Sequence, residues 1–342
     1  MNVIDSRQYH SQENVTSARS INTQSEASAG QRNLRPVMAI LAIGFVAACA
    51  GYMYYHVEDF RFLLGVSGTD LLTATVFILV GFVSSCYQLD LFLRRFELRL
   101  GTLELVAVTH AMMLGNLVIP MRGGSGGLAV YLKKIHGLDF TSFAVIYGGT
   151  AILVAMINSL MAVIALLALW MISGYFNLVI SVAVSVVLLS CLGLTFGAPG
   201  PAYRSNIIVN KIIEIANSWK AITADMALLT ALTLSITLMS LSLVGSFYYI
   251  YRAMGCPLTM EAAIVTSSVG SIVNLIPLTP GSLGVFDVAI IEIQRIFGLT
   301  TAQSIAAAMI FRSLTFGLAL LVGIPGILYM YMRTSHAEKR PG

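Results

Sequence analysis

The sequence predicts an all-α polytopic membrane protein, with about six full spans and two re-entrant helical hairpins that form an inverted repeat. Of the 342 residues, 57% are hydrophobic and the mean hydropathy is +0.83. Several apolar runs approach the roughly 20 residues that a bilayer-spanning helix needs. Charge is sparse, at 11% of the chain, which excludes an ordinary water-soluble enzyme. A net charge of +4 without a basic stripe also argues against a nucleic-acid binder.

The two ends of the chain differ in composition from the apolar middle. Residues 1–35 are rich in Ser, Gln and Asn and hold seven charged residues, so we predict a disordered cytoplasmic tail there. Residues 36–332 are predicted to form the transmembrane domain, and residues 333–342 a second cytoplasmic tail. The cysteines are scattered without CxxC spacing, so we expect buried side chains and neither a metal site nor a cofactor.

Apolar segments follow one another along the predicted domain. The full spans are predicted at Pro36–Tyr55, Leu71–Leu93, two within 140–203, Met226–Tyr251 and Thr301–Met332. Residues 140–203 contain no charge and would measure about 96 Å as one helix, so they must turn, and Ser173–Asn177 is the best place for it. Residues 198–225 are predicted to be a polar connection with a short amphipathic helix.

Two shorter apolar segments are predicted to be the hairpins. Basic residues cluster in the N-terminal tail, at 94–99, 122–134 and 204–220, and at the C-terminus. Placing every cluster in the cytoplasm requires segment 103–120 to return to the side it came from, and segment 261–297 to do the same from the opposite side. We therefore expect a multi-pass protein of the bacterial inner membrane with a cytoplasmic N-terminus.

The two hairpin segments are similar to each other. One begins at Asn116-Leu, passes Pro120 and four glycines, and ends at His136-Gly-Leu. The other begins at Asn274-Leu, passes two prolines and two glycines, and ends at Phe297-Gly-Leu. Paired interruptions in an inverted repeat are typical of alternating-access transporters. Chance recurrence of two short matches is the alternative.

Interrupted helices suggest a binding site. Broken backbone is tolerated at membrane depth only where it is buried in protein or lines a wet cavity, and the free N–H groups of a helix start favour an anion such as phosphate. Arg312, inside the last span, needs a partner because a buried arginine is costly. The partner could be Asp287 or Glu261 in an internal salt bridge, or a ligand phosphate or carboxylate, and both interpretations hold if the bridge opens when a ligand arrives. Asp287 could alternatively cap the start of its helix.

The predicted substrate-binding residues belong to the two breaks and their charged neighbours. They are Asn116, Arg122, Gly124, Asn274, Pro280, Gly281, Gly284, Asp287 and Arg312. Glu292 and Arg295 are expected to form a local ion pair. Glu104 and His110, six residues apart, are expected on opposite faces of their helix. No nucleophile elbow, phosphate-binding loop or metal pattern occurs in the sequence, and no catalytic residue is predicted.

At these hairpins the sequence resembles the lysylphosphatidylglycerol synthase transmembrane family, also called the flippase-like domain family. The resemblance is best from Pro277 through Pro280-Gly281 and Gly284 to Asp287, and continues at Gly298 and Arg312. A weaker match covers Pro120-Met-Arg122-Gly-Gly124 and His136-Gly-Leu. The chain departs from the family pattern at Ser125, Leu128, Phe286 and Asp287.

The resemblance implies a protein that moves an aminoacylated phospholipid between leaflets, or a stand-alone relative working near polysaccharide or lipid-linked sugar pathways. We expect binding and translocation of a membrane lipid with an anionic head group, without a nucleotide or metal cofactor. Two alternatives stay open: a membrane transferase that uses Asp287 or Glu261 as general base, and a non-catalytic accessory subunit of a polysaccharide assembly complex. The sequence does not decide between a homo-oligomer and a partnership with a synthetic enzyme.

Overall fold

A computed structural model of the chain describes residues 57–196, 217–256, 258–276 and 279–338, together with residues 51, 54 and 55. The predicted tail 1–35, nearly all of the first predicted span and most of the connection at 198–225 lie outside the described residues. Within the described part the regular structure is entirely helical, and no strand occurs there.

The helices follow the apolar segments of the sequence. After a 3-10 helix at Val57–Gly65 they are α1 Gly68–Arg95, α2 Thr102–Val118, α3 Gly123–His136, α4 Phe140–Ser173, α5 Leu178–Phe196, α6 Met226–Ala253, α7 Met260–Val273, α8 Val285–Ile296 and α9 Thr301–Glu338. In the described part, α1, α4, α5, α6 and α9 are long and apolar enough to cross a membrane. The all-helical polytopic class is therefore confirmed, and α4 and α5 are separated at the predicted turn.

Local chemistry explains where several helices begin. Asp139 accepts a hydrogen bond from the Ser142 backbone N–H at 2.6 Å and begins α4. Asp225 likewise accepts from the Leu228 N–H at 3.0 Å at the start of α6. These side chains satisfy backbone donors that have no partner within the first helical turn.

The helices pack as two halves of four, α1–α4 and α6–α9. Helices α1 and α6, the first of each half, pack along each other. Helix α2 packs against α9, the last helix of the other half, and α7 correspondingly packs against α4. Each contact thus has a counterpart with the halves exchanged, as an internal repeat requires.

Helices α2 and α3 form one hairpin, and α7 and α8 form the other. In the first hairpin, Gly115 near the end of α2 lies against Gly124 near the start of α3. In the second, Gly270 lies against Phe286 and Ile290. Helices α2 and α7 have 17 and 14 residues, about 25 and 21 Å, which is less than the roughly 30 Å of hydrocarbon in a bilayer. Their insertion from opposite faces of the membrane stays a prediction.

Each hairpin packs into its own apolar cluster. The first hairpin contributes Leu128 and Leu132 to a cluster that includes Leu153 of α4. The second contributes Phe286 and Ile290 to a cluster that includes Phe247 of α6. Helices α1 and α6 supply buried residues to both clusters and therefore join the two halves.

Candidate functional site

The first break, between α2 and α3, is a short 3-10 element at Pro120–Arg122. Met121 and Arg122 both have φ of 54°, in the left-handed region that residues with a side chain rarely adopt. Such residues cost of order 1–3 kcal/mol each and persist only where the surroundings impose them. The chain reverses here without a longer loop.

The second break also contains two consecutive residues with left-handed φ angles. It is a 3-10 element at Pro280–Ser282, in which Gly281 and Ser282 have φ of 55° and 54°. The structure therefore pairs Pro120 with Pro280 and Arg122 with Ser282. The backbones diverge after that, because α3 begins at Gly123 whereas Gly284, with φ of 86°, still precedes α8. The repeat suggested by the sequence has a counterpart in the dihedral angles of the two tips.

Asn116 joins the two arms of the first hairpin. Its side-chain oxygen accepts a hydrogen bond from the Ser125 backbone N–H at 2.9 Å, and its amide nitrogen donates to Ser125 Oγ at 3.0 Å. A Cβ atom at Gly124 would come within 2.1 Å of the Met112 carbonyl oxygen and 2.5 Å of the Asn116 nitrogen. Gly124 therefore permits the close approach of α2 and α3, and Asn116 satisfies a free donor at the start of α3.

Arg122 connects the two breaks. Its guanidinium donates to the backbone carbonyl of Asn274, at the end of α7, and to the hydroxyl of Tyr147 on α4. The Tyr147 ring lies under the same guanidinium, 5.6 Å away. Asn274 thus takes part through its backbone oxygen, which also accepts from Ser282 Oγ at 3.4 Å.

The tips of the two hairpins are in contact. A Cβ atom at Gly281 would lie 3.1–3.3 Å from the side chain and backbone of Leu117 in the first hairpin. Together with the bond from Arg122 to Asn274, this contact places both interruptions side by side. The two breaks thus meet in the fold.

Arg312 of α9 holds the second break. Its Nε and Nη2 donate to the two carboxylate oxygens of Asp287 at 2.9 and 3.0 Å, and its Nη1 donates to the Gly281 carbonyl at 2.6 Å. The guanidinium also lies over the Phe286 ring, 4.9 Å from its centre. The Asp287 side chain is 3% exposed and the Arg312 side chain 22%. A planar guanidinium is well suited to such a two-bond contact.

Both alternatives considered for Asp287 are realised. While it pairs with Arg312, its Oδ2 accepts a hydrogen bond from the Gly284 backbone N–H at 3.0 Å and so caps α8. Arg312 takes Asp287, rather than Glu261, as its partner. Pro280 begins the break. The predicted site residues therefore lie at the two tips and on the turns next to them, except for Arg312, whose side chain reaches the second tip from α9.

A family model described as the lysylphosphatidylglycerol synthase TM region matches residues 37–323 of the chain, including both hairpins and Arg312. The chain belongs to this family. No curated protein matches the sequence. Membership in this transmembrane family agrees with the apolar helices of a multi-pass membrane protein and with a role connected to membrane lipids.

In this member of the lysylphosphatidylglycerol synthase transmembrane family, a second polar cluster lies at the open end of the first hairpin. Glu104 is 4% exposed and accepts hydrogen bonds from Tyr131 Oη at 2.6 Å and His136 Nε2 at 2.7 Å. Arg333 of α9 donates to its other oxygen at 2.5 Å. Glu104 and His136 lie at opposite ends of the hairpin sequence, so their contact shows that the chain doubles back.

The environment of Glu104 favours its charged form. The residue lies in the first turn of α2, next to the connection at 96–101, and α2 is too short to count among the spanning helices. Burial is the largest single influence and raises the pKa of the carboxyl, but the hydrogen bonds from Tyr131 and His136, together with electrostatic attraction from His136 and Arg333, outweigh burial and lower the pKa.

Sequence reasoning missed this cluster. The partners of Glu104 come from α3 and α9, so its spacing from His110 along α2 does not indicate them. Tyr147 was missed as well, because nothing in an uncharged apolar helix marks one tyrosine as the partner of Arg122. The available signal for Glu104 was its position as a lone acid in an apolar segment, which demands a partner. The predicted local ion pair of Glu292 and Arg295 is confirmed, with an N–O distance of 3.0 Å.

Among the described residues, no group of three or more His, Cys, Asp or Glu side chains is arranged to hold a metal ion. The groups at the two tips can instead donate hydrogen bonds to an anion. They comprise the guanidinium groups of Arg122 and Arg312 and the backbone N–H groups of the first turns of α3 and α8.

Proposed function

We propose that this protein binds a membrane lipid with an anionic head group where the two helix breaks meet, and moves it between leaflets. One observation carries the proposal. Arg122 from the first break and Arg312 from α9 converge on the backbone of the second hairpin, at the carbonyl oxygens of Asn274 and Gly281. Positive charge among apolar helices is expensive and is generally found on substrate pathways or in internal pairs.

The bonds of Arg312 suggest how a head group would be received. Four of its five N–H donors already have partners in Asp287 and the break, so a phosphate must replace some of them. A phosphate offers the same two-oxygen geometry as the Asp287 carboxylate. Asp287 therefore keeps Arg312 satisfied until the lipid arrives, and after the exchange the Asp287 carboxylate still accepts the hydrogen bond from the Gly284 N–H.

The contact between the tips suggests where movement would occur. Arg122 and Leu117 of the first hairpin touch Asn274 and Gly281 of the second. If the hairpins enter from opposite faces, these contacts separate the two sides of the membrane. Parting them on one side at a time would expose the head-group site to alternate leaflets, which is how transporters built from inverted repeats operate.

Transport is tested with the purified protein in liposomes. The probe is phosphatidylglycerol with a fluorescent acyl chain, and dithionite bleaches only the outer leaflet. Loss of a charged hydrogen bond costs about 1.5–3 kcal/mol. Arg312→Lys and Arg122→Gln should therefore slow transbilayer movement by about tenfold or more.

Arg252→Gln is the matched control for charge. Arg252 is an exposed arginine at the end of α6, paired with Asp70 away from both breaks. It should transport like the unaltered chain. Equal rates in all variants and in protein-free liposomes would contradict the proposal.

Lipid identity is tested separately, by mass spectrometry of the lipids that co-purify in mild detergent. An anionic lipid enriched in the unaltered chain and lost in Arg312→Ala would name the substrate. The same bulk lipid profile in both would remove the lipid site from this junction.

A further inference from the structure

A groove runs between α3 and α9 on the outside of the first hairpin. Its volume is about 340 Å³, within the range of small-ligand pockets. The wall from α3 carries Gly127, Val130 and Lys134, and the wall from α9 carries Ile327 and Thr334. The groove is separate from the junction of the two breaks.

The two ends of the groove differ in polarity. Gly127 and Ile327 lie at one end, and Lys134 and Thr334 lie seven residues further along their helices, about 10 Å away. The first end is apolar and lies one helical turn from the first break. The second end is cationic and lies at the Glu104 cluster, which the distribution of basic residues assigns to the cytoplasmic surface.

The walls of the groove are held in place from behind. The Tyr131 side chain lines the groove, and its hydroxyl donates to Glu104 at 2.6 Å. Arg333, which precedes Thr334 on the opposite wall, donates to the same carboxylate. One buried carboxylate thus connects both walls, so the groove is a preformed feature of the packing.

We propose that this groove holds one glycerophospholipid of the cytoplasmic leaflet, with its anionic phosphate at Lys134 and its acyl chains along Val130 and Ile327. The polarity gradient matches that of a lipid, which places its phosphate at the surface and its chains in the hydrocarbon. An exposed lysine attracts an anionic lipid surface. The groove would lead a lipid from the cytoplasmic leaflet to the first break, and in this respect the inference rests on the proposed function.

The test uses the full chain in nanodiscs that contain equal amounts of phosphatidylglycerol and phosphatidylcholine. Native mass spectrometry counts the lipids that stay bound after release. The unaltered chain should retain phosphatidylglycerol in preference. Lys134→Gln should reduce that preference several-fold, because it removes the charge at the surface end of the groove.

Lys133→Gln is the matched control. Lys133 is the adjacent exposed lysine, and its ammonium lies over the Phe140 ring, 4.3 Å from its centre, and not in the groove. It should retain lipid like the unaltered chain. A second variant, Gly127→Leu, fills the apolar end without altering charge, since a Cβ atom at Gly127 meets no atom within 4 Å. It should lower the number of retained lipids of both kinds.

Retention unchanged in both Lys134→Gln and Gly127→Leu would overturn the inference. A photoreactive side chain at Val130 that cross-links to a second copy of the protein, and not to lipid, would also overturn it. Arg312→Lys separates this inference from the proposed function, because it should slow transport by about tenfold or more and leave retention in the groove unchanged. If the groove variants retain lipid normally while the unaltered chain transports, the inference about the groove alone is refuted. Normal groove behaviour in an unaltered chain that does not transport would refute the proposed function alone.

Discussion

Arg312 and Asp287 form a two-bond ion pair across the second helix break, with N–O distances of 2.9 and 3.0 Å. The same guanidinium donates to the Gly281 carbonyl, and the same carboxylate accepts from the Gly284 N–H. The pair therefore holds the break from both sides. A ligand that draws Arg312 away from Asp287 would also loosen the tip of the hairpin, which couples binding to movement.

Asp287→Asn should destabilise the protein by about 3–5 kcal/mol, because it leaves the partly buried Arg312 charge without its partner. The free energy of unfolding is measured by SDS titration in mixed micelles. Glu292→Gln is the control, since it breaks an exposed acid–arginine pair on the same helix and should change stability little. Equal stability in the two variants would show that the Asp287 pair contributes nothing to the fold.

Gly124→Ala should destabilise the first hairpin by about 1–3 kcal/mol, the usual cost of overpacking. The added methyl group would meet the backbone of Met112 and Asn116, which cannot move aside as a side chain can. The melting temperature in mild detergent reports the effect. Gly126→Ala, two residues along the same helix and facing open space, should be neutral or stabilising. A reversed order of the two variants would contradict the close packing of α2 and α3.

Glu104→Gln should lower stability more than any exposed acid substitution. Glu104 is buried and accepts hydrogen bonds from the His136 imidazole and the Arg333 guanidinium, and removing its charge leaves both with a weaker acceptor. The melting temperature is again the measurement. Glu58→Gln serves for comparison, because Glu58 is 83% exposed and pairs only with Arg61 in the described part of the chain. Equal melting temperatures of the two variants would show that the hairpin does not depend on the Glu104 cluster.

The two hairpins should enter the membrane from opposite faces. Single cysteines at positions 133 and 295, both exposed near the open ends of α3 and α8, are introduced into a chain whose native cysteines are replaced. A membrane-impermeant maleimide added to right-side-out vesicles should label position 295 and leave position 133 unlabelled until the membrane is opened. Labelling of both positions from one side would refute the inverted arrangement.

Most of the helical layout could be predicted from apolar run length. The turn near Gly174 and the short segments that became α2 and α7 follow from the length of helix that a bilayer accommodates. A charge in an apolar segment needs a partner. The sequence therefore predicted an acidic partner for Arg312, and Asp287 was one of the two acidic candidates. Helix ends differed from prediction by a few residues, because capping groups such as Ser67 lie outside the apolar runs.

The sequence by itself determined the class of protein, its family and the two interrupted helices. Inside the hydrocarbon of a bilayer the backbone groups must be paired within the protein, as they are in helices, so breaks and charges are rare and easily recognised in the sequence. Only the tertiary structure decided how these parts meet. The bond from Arg122 to Asn274 joins residues 152 positions apart, and that from Arg333 to Glu104 spans 229 positions. No local pattern encodes such contacts, because they depend on how α2 packs against α9 and how the two tips come together.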